Sequence, residues 1–417
     1  MRINTIYAVF LATAVMACTA SAQSARGENL EKYYTMERIR SKSGWLVSDN
    51  AAGLIFNRAS LSTADVSYDF EEGGLRNVGD AARTHKTGIQ SESFQRWDRL
   101  SFYGKLGYDY TAGSDRNWAG NTHLYTSPMN VGDSVPGNTR NETYLLKAGV
   151  AYQMGNWVIG LQGEYENQSL AKRRDARNKT TYMHLSVRPG VMFTSKTVDA
   201  GLNFTYERTT ETVNYLSFGT NEQAIPLYLF EGLWFYMAEL VPSGSNSNPI
   251  HYKESEYGGA AQFELKFSPR VSLFNQFSAI YGKMERYHLE EDEHLGDNDQ
   301  LTYRYLGVLN VTGRSVDQRL SVDASWGDLL KYNNIQELAV DPVTNLKYYK
   351  QYGRFLKFSQ KQRSVDADYK LYVKRNEWSS SWIVDVAYDY CKTESEYTIS
   401  PARYNQDLHY SKLMLGV

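Results

Sequence analysis

The chain has 417 residues, a formal net charge of −2, and 33 tyrosines against 16 phenylalanines and 8 tryptophans. So even a charge balance excludes a basic nucleic-acid-binding surface, and nine prolines exclude a Pro-rich disordered chain. Tyrosine in this excess favours strands and boundaries between apolar and wet surroundings.

Residues 1–22 read as a secretory signal. Arg2 supplies a positive start, Ile3 to Ala17 is apolar, and Ala20-Ser21-Ala22 is a small-residue cleavage box before Gln23. Lipidation of Cys18, after Val15-Met16-Ala17, is the alternative. Cleavage after Ala22 leaves Cys391 alone, so the mature chain can form no intrachain disulfide. Residues 23–60 read as an N-terminal periplasmic or plug segment, with a helix near Leu30 to Ile39. No run of 18 apolar residues follows, so no transmembrane helix is expected. The longest apolar stretch, Ile225 to Ala238, is broken by Glu231 and Gly232. A mean hydropathy of −0.53 fits a soluble protein, and equally a transmembrane barrel whose strands are apolar at every second residue.

From residue 61 to 417 one motif repeats: stretches of about ten to fourteen residues that alternate apolar and polar, the period of a strand. In Thr197 to Glu207, Val198, Ala200, Leu202, Phe204 and Tyr206 point one way, and Asp199, Asn203, Thr205 and Glu207 the other. Leu100 to Tyr110, Val316 to Trp326, Val365 to Val373 and Trp382 to Tyr390 repeat it. A soluble sandwich would alternate too. Three features point to a membrane instead: strands longer than the soluble norm, aromatics such as Tyr108, Tyr110, Trp157, Tyr165, Trp326 and Trp382 at the ends of the apolar faces, and connections that alternate in length. Short turns fall near Trp97-Asp98, Met154-Gly155-Asn156, Thr194-Ser195, Ser268-Pro269-Arg270, Thr312-Gly313 and Arg375-Asn376-Glu377. Longer loops are expected near 72–85, 112–141, 167–179, 208–254, 285–300, 327–360 and 393–404. Strands then begin near residues 62, 86, 99, 142, 157, 180, 197, 255, 271, 301, 315, 361, 379 and 405. The expected fold is all-β: an antiparallel up-and-down transmembrane β-barrel of about 14 strands, at most 16, with short periplasmic turns and long outer loops. The last strand stops at Leu415-Gly416-Val417 without the terminal aromatic that bacterial barrels commonly carry, which reads as a fragment that lacks up to two strands.

The stretch Trp45-Leu46-Val47-Ser48-Asp49-Asn50-Ala51-Ala52-Gly53-Leu54, with Asn57-Arg58-Ala59-Ser60, Asp133-Ser134-Val135-Pro136-Gly137 and Val187-Arg188-Pro189-Gly190, resembles an uncharacterised family of outer-membrane β-barrels from Bacteroidota over nearly the whole mature chain. The resemblance implies location and fold. Members are often encoded near TonB-dependent receptors, which implies uptake or surface assembly and a TonB-dependent receptor or other envelope protein as partner. Asn57-Arg58-Ala59 also resembles the Asn-Pro-Ala of long-chain fatty-acid transporter barrels and of the related type IX shuttle barrels, with Arg58 in place of the proline.

The polar strand faces are the candidate lumen lining. They carry Asp65, Asp69, Lys105, Asp109, Glu164, Asp199, Glu207, Glu264, Lys266, Asp317, Arg319, Asp323, Asp366, Asp368, Asp385 and Asp389, with Lys147 and Lys370. Either the lumen is wet and admits polar or cationic solutes, or the charges pair in a packed interior. Glu290-Glu291-Asp292-Glu293-His294 with Asp297-Asn298-Asp299 offers oxygen ligands for calcium, but lacks the glycine and closing glutamate of a calcium loop, so a solvated outer loop is the stronger reading. Ile225 to Ala238 is apolar enough to fold into the lumen, cover the mouth, meet a partner, or form the core of a large loop. Seven scattered histidines, no G-x-S-x-G, no phosphate loop and no metal-spaced Cys/His set predict a non-enzyme without cofactor or metal. Transport, as a pore or solute-uptake barrel, and a non-transporting accessory role beside an uptake or secretion complex are the two functions left open. Outer-membrane lipids are expected as surroundings and nucleic acid is not.

Overall fold

A computed structural model describes residues 36–416 except 59, 125, 219–223, 242–246, 248, 289–292, 346 and 376–379. The targeting signal, Cys18, the start of the helix at Leu30, the Glu290-Glu291-Asp292 run and part of the Arg375-Asn376-Glu377 turn lie outside the described residues.

A short helix α1 (Met36–Ser41) and two 3-10 turns (Gly44–Val47 and Ala51–Phe56) precede the strands. The strands follow in chain order: β1 (Leu61–Glu72), β2 (Arg83–Trp97), β3 (Leu100–Arg116), β4 (Val131–Gly132), β5 (Gly137–Met154), β6 (Trp157–Lys172), β7 (Arg177–Phe193), β8 (Val198–Leu216), β9 (Ile225–Gly232), β10 (Phe235–Val241), β11 (Ile250–Ser268), β12 (Val271–His288), β13 (Glu293–Thr312), β14 (Val316–Val340), β15 (Lys347–Lys374), β16 (Ser380–Ile399) and β17 (Ala402–Gly416). Fourteen of them form one antiparallel sheet in which each strand lies beside its chain neighbour. The other three, β10-β9-β4, make a small separate sheet. The outer two strands of the large sheet, β1 and β17, each pair with one strand only.

The period-2 pattern explains which side chains each face of the sheet carries. On β8, Asp199 is fully buried on one face, while Leu202 is 60% and Phe204 49% exposed on the other. Ile159, Leu161, Leu146, Phe277 and Leu320 stand out from the same outer face. The aromatics on this face collect at two levels. Trp97 lies by Phe102 and Trp157 by Phe193, both at 5.1 Å, beside the short turns. Tyr206 and Tyr257, at 5.3 Å, lie toward the other end. From Trp157 to Tyr165 is a run of nine residues of β6, the length a tilted strand needs to cross an apolar membrane core.

The expected long loops are shorter than the sequence indicated. The stretches 167–179, 285–300, 327–360 and 393–404 are mostly strand: β6 runs to Lys172 and β7 starts at Arg177, β14 runs to Val340, and β16 and β17 are joined across Ser400-Pro401. Past the apolar band the outward residues need not be apolar, so alternation fades there. The backbone groups still need partners, and the ladder supplies them. Residues 333–340 and 347–355 have ladder partners, among the described residues, only in each other, as a two-stranded ribbon that leaves the sheet.

The concave face is filled from both ends. At the short-turn end, residues 39–57 pack against β3, β5, β6, β7, β12 and β13. Trp45, 1% exposed, meets Phe274 edge-on at 5.2 Å within a cluster that includes Ala151, Val158, Met192 and Val308. Asn50 donates its amide to Val191 O and Leu202 O, each at 3.2 Å, and to Gln262 Oε1 at 3.1 Å, while its oxygen caps Ala52 N at 3.0 Å. Asp49 accepts from Gln276 Nε2 at 2.6 Å and faces Arg188 at 3.6 Å. The approach is close enough to require glycine in the wall: a Cβ at Gly160 would overlap the Ala51-Ala52 backbone. At the other end, β4, β9 and β10 fold into the sheet's interior around Met129, Val131, Val213, Tyr215, Leu227, Leu229 and Ile250. Of the readings open for Ile225 to Ala238, folding into the lumen is the one observed.

Candidate functional site

The inner hairpin β9–β10 is fixed by an ionic cluster. Glu231, 2% exposed, accepts from Lys331 Nζ at 3.0 Å and Asn333 Nδ2 at 2.6 Å on one oxygen, and from Tyr397 OH at 3.0 Å on the other. Lys357 stands 4.0 Å away. Fully buried Arg286 donates to Phe230 O at 2.9 Å. Phe235 stacks on Tyr397 with centroids 4.3 Å apart. The cluster lies above the apolar band, which on β14 ends at Trp326. Burial works against the Glu231 charge, but Lys331 and Asn333 outweigh it and hold the carboxyl below its ordinary range. Burial and then Arg286 push the Lys331 ammonium down to about 7, against the pull of Glu231. Three cations around one carboxylate account for both directions.

A second tether holds the segment that carries β4. Glu211 accepts from Asn121 Nδ2 at 2.5 Å, Thr122 N at 2.7 Å and Thr122 Oγ1 at 2.8 Å. Asp133 and Lys172, both almost fully buried, pair at 2.5 Å.

Beside the outer insert lie two cavities of about 590 and 330 Å3. Both are lined by Thr126, Ser127, Asn130, Glu254, Glu256 and Met284, so they form one chamber. One wall carries Glu164, Glu166, Glu254 and Glu256. The other carries Gln300, Gln360, Gln362, Thr393 and Ser395, with Trp234 and Phe230 on the hairpin side.

Register sets all sixteen sequence-predicted lumen residues on the concave face. Asp65 and Asp69 on β1 are exposed there, opposite Gln90 and Lys86. Lys105 lies opposite Glu92, and Asp109 pairs with Lys86 at 3.3 Å. Glu164 pairs with Lys147 at 3.0 Å, Asp199 with Lys266 at 2.7 Å, Glu207 with Arg188 at 2.6 Å, Asp317 with Lys374 at 2.7 Å, and Asp385 with Lys370 at 3.5 Å. Arg304 binds Asp323 at 2.8 Å, and Arg319 donates to Arg40 O at 3.1 Å. Asp323, Asp366 and Asp389 face one another across three strands, with Asp368 two residues further along β15. Glu264 is 5% exposed beside Trp45. Most of these charges are paired, which favours the ion-pair reading over an open wet lumen at this level. Of this set only Glu164 reaches the chamber lining. Of the acidic run, Glu293 accepts from His288 Nδ1 at 2.9 Å, and no metal-holding group exists among the described residues.

Sequence reasoning missed Asn50, Lys331, Glu254, Glu256, Gln360 and Gln362 as site residues, and reached Glu231 and Trp234 only as part of the stretch Ile225 to Ala238. Glu231 carried a signal, as a lone carboxylate in an apolar run. The glutamines carried none.

Residues 51–416 match the model of a family of unknown function (DUF6850). The chain belongs to that family. No curated protein matches its sequence. Among solved structures it is similar to the CymD monoaromatic hydrocarbon channel (9% identity, 84% of this chain and 86% of that one, TM-score 0.32) and to the Pseudomonas putida toluene transporter TodX (10%, 92% and 98%, 0.34). It is also similar to the ferric citrate transporter FecA (8%, 84% and 55%, 0.38). Likenesses of this size leave the family's function open.

Proposed function

We propose that this family member is an outer-membrane β-barrel that moves solutes and is held closed by two internal inserts: residues 39–57 as a plug at the periplasmic end and the β9–β10 hairpin as a constriction at the outer end. The observation that carries the reading is the polarity of the sheet. An apolar outer face bounded by two aromatic levels calls for lipid, and a charged concave face around a chamber supplies a path for polar molecules. We read it as a non-enzyme, since no nucleophile motif occurs. The test is liposome swelling and single-channel conductance of the full chain against a variant lacking 225–241. Low flux in the parent and clearly higher flux in the variant is expected. No flux from either sinks the transport reading.

A second reading has its own observation. The ribbon of residues 333–357 exposes Ile335, Leu338, Val340, Tyr348 and Tyr352, a surface for an accessory barrel to meet an envelope partner such as a TonB-dependent receptor. Co-purification of such a receptor, lost when the ribbon is removed and with flux absent, would favour it.

A further inference from the structure

The larger part of the chamber has a wall unlike the rest of the lumen. Register places Gln360 opposite Ser395 and Gln362 opposite Thr393, with Gln406 on β17 beside Ser395 and Gln300 on β13 beyond Leu329 of β14, and all line the cavity. Two levels away, past the Ser325–Ser364 pair, the same strands turn to charge, with Asp323, Asp366 and Asp389 in a row. Among the described residues no hydrogen bond reaches the amides of Gln360 or Gln406, and Gln362 reaches only Cys391 Sγ at 3.7 Å. An amide carries a donor and an acceptor side by side without charge. It meets hydroxyl groups well and gives an ion no particular advantage.

An aromatic surface faces this row. Trp234 lines the cavity, 43% exposed, and meets Phe230 edge-on at 5.0 Å. The turn that presents it holds Leu233 at φ +47° and Trp234 at φ +61°, a left-handed pair where Asn-Gly is the usual choice. Both are non-glycine residues held in a strained region of backbone space. An indole beside planar amides is the pairing that sorts a sugar ring: carbon–hydrogen faces lie on the aromatic, and hydroxyls find the amides. Glu254 and Glu256 close the opposite side and can accept hydroxyl protons as readily as they attract a cation.

We propose that the chamber binds a short uncharged oligosaccharide, and that this is the class of solute the barrel handles. The proposal deepens the transport reading, but binding is measured without flux. The experiment is calorimetric titration of the detergent-solubilised full chain with maltotriose, cellotriose and chitotriose, and with spermidine and toluene as controls. Saturable binding of at least one trisaccharide is expected. It should weaken about tenfold or more in the double variant Gln360→Leu/Gln362→Leu and in Trp234→Ala. Trp234→Ala lies outside the barrel ladder, so it still reports if the double variant fails to fold. No heat with any trisaccharide, binding of spermidine or toluene alone, or trisaccharide binding unchanged in Trp234→Ala would each overturn the proposal. Trisaccharide binding without liposome flux would remove transport and leave this site standing. Flux without trisaccharide binding would do the reverse.

Discussion

Single residues hold the inserts in place, and single substitutions should release them. Asn50 shares its two amide hydrogens among three acceptors and caps Ala52 N from a position 3% exposed. Asn50→Ala leaves two strand carbonyls unmet and should loosen the segment by about 2 kcal/mol, read as faster tryptic cleavage at Lys42 and Arg58 with the barrel intact. Gly160→Val should do the same by overlap, and raise conductance. Glu231→Gln uncouples the inner hairpin: removing one member of a buried pair costs about 3–5 kcal/mol, so open-channel events should rise steeply. The pH dependence follows from two signs. Glu231 sits below its ordinary range in the folded state, so its contribution is present above about pH 4.5 and is lost as pH falls through its folded value. Lys331 is also depressed, so the unfolded chain takes up more protons between about 7 and 10.5, and stability climbs with pH across that window. Between pH 3.5 and 9, conductance should be lowest at the alkaline end and rise on acidification below pH 4.5. A flat profile in planar bilayers from pH 3.5 to 9 would count against the cluster as the latch. The lumen carboxylates were legible in the sequence because strands alternate. The latch was not, because Lys331 stands 100 residues from Glu231 and nothing local joins them.

At the scale of elements, the fourteen strands of the large sheet were readable, often to within a few residues. Strand starts expected at 62, 99, 157, 197, 271, 315 and 379 fall at Leu61, Leu100, Trp157, Val198, Val271, Val316 and Ser380. These are short-turn ends, where the apolar band begins at once and the pattern is sharp. The opposite ends were misplaced by more, as with β15, expected at 361 and starting at Lys347. There, solvent on the outer face removes the demand for apolar residues, and only hydrogen bonding keeps the strand going. The same reasoning predicts that the ribbon contributes little to the barrel. Deleting residues 334–353 and joining the ends with a two-residue turn should leave the heat-modifiable band on a gel and its unfolding temperature unchanged. A fall of more than a few degrees would show that the ribbon braces the sheet.

At the scale of the whole molecule, the sheet presents apolar side chains outward and polar ones inward, the inverse of a soluble sandwich's two-layer core. Carbonate or high salt should therefore leave the protein in the membrane fraction, and only detergent should extract it; release by carbonate would argue against an integral barrel. The internal inserts occupy both ends of the concave face, so the path through the molecule is interrupted twice, and disabling one insert alone should give partial opening. The ribbon has a consequence of another kind. Its arms of eight and nine residues run some 25–30 Å beyond the last pair they share with the large sheet, at ordinary strand rise. In the proposed orientation, that carries the tip at Asp341–Asn345 clear of the lipid headgroups into the sugar layer outside the cell. It is the part of the molecule that an antibody or a phage tail fibre would meet first, and a peptide tag inserted there should be stained on unbroken cells.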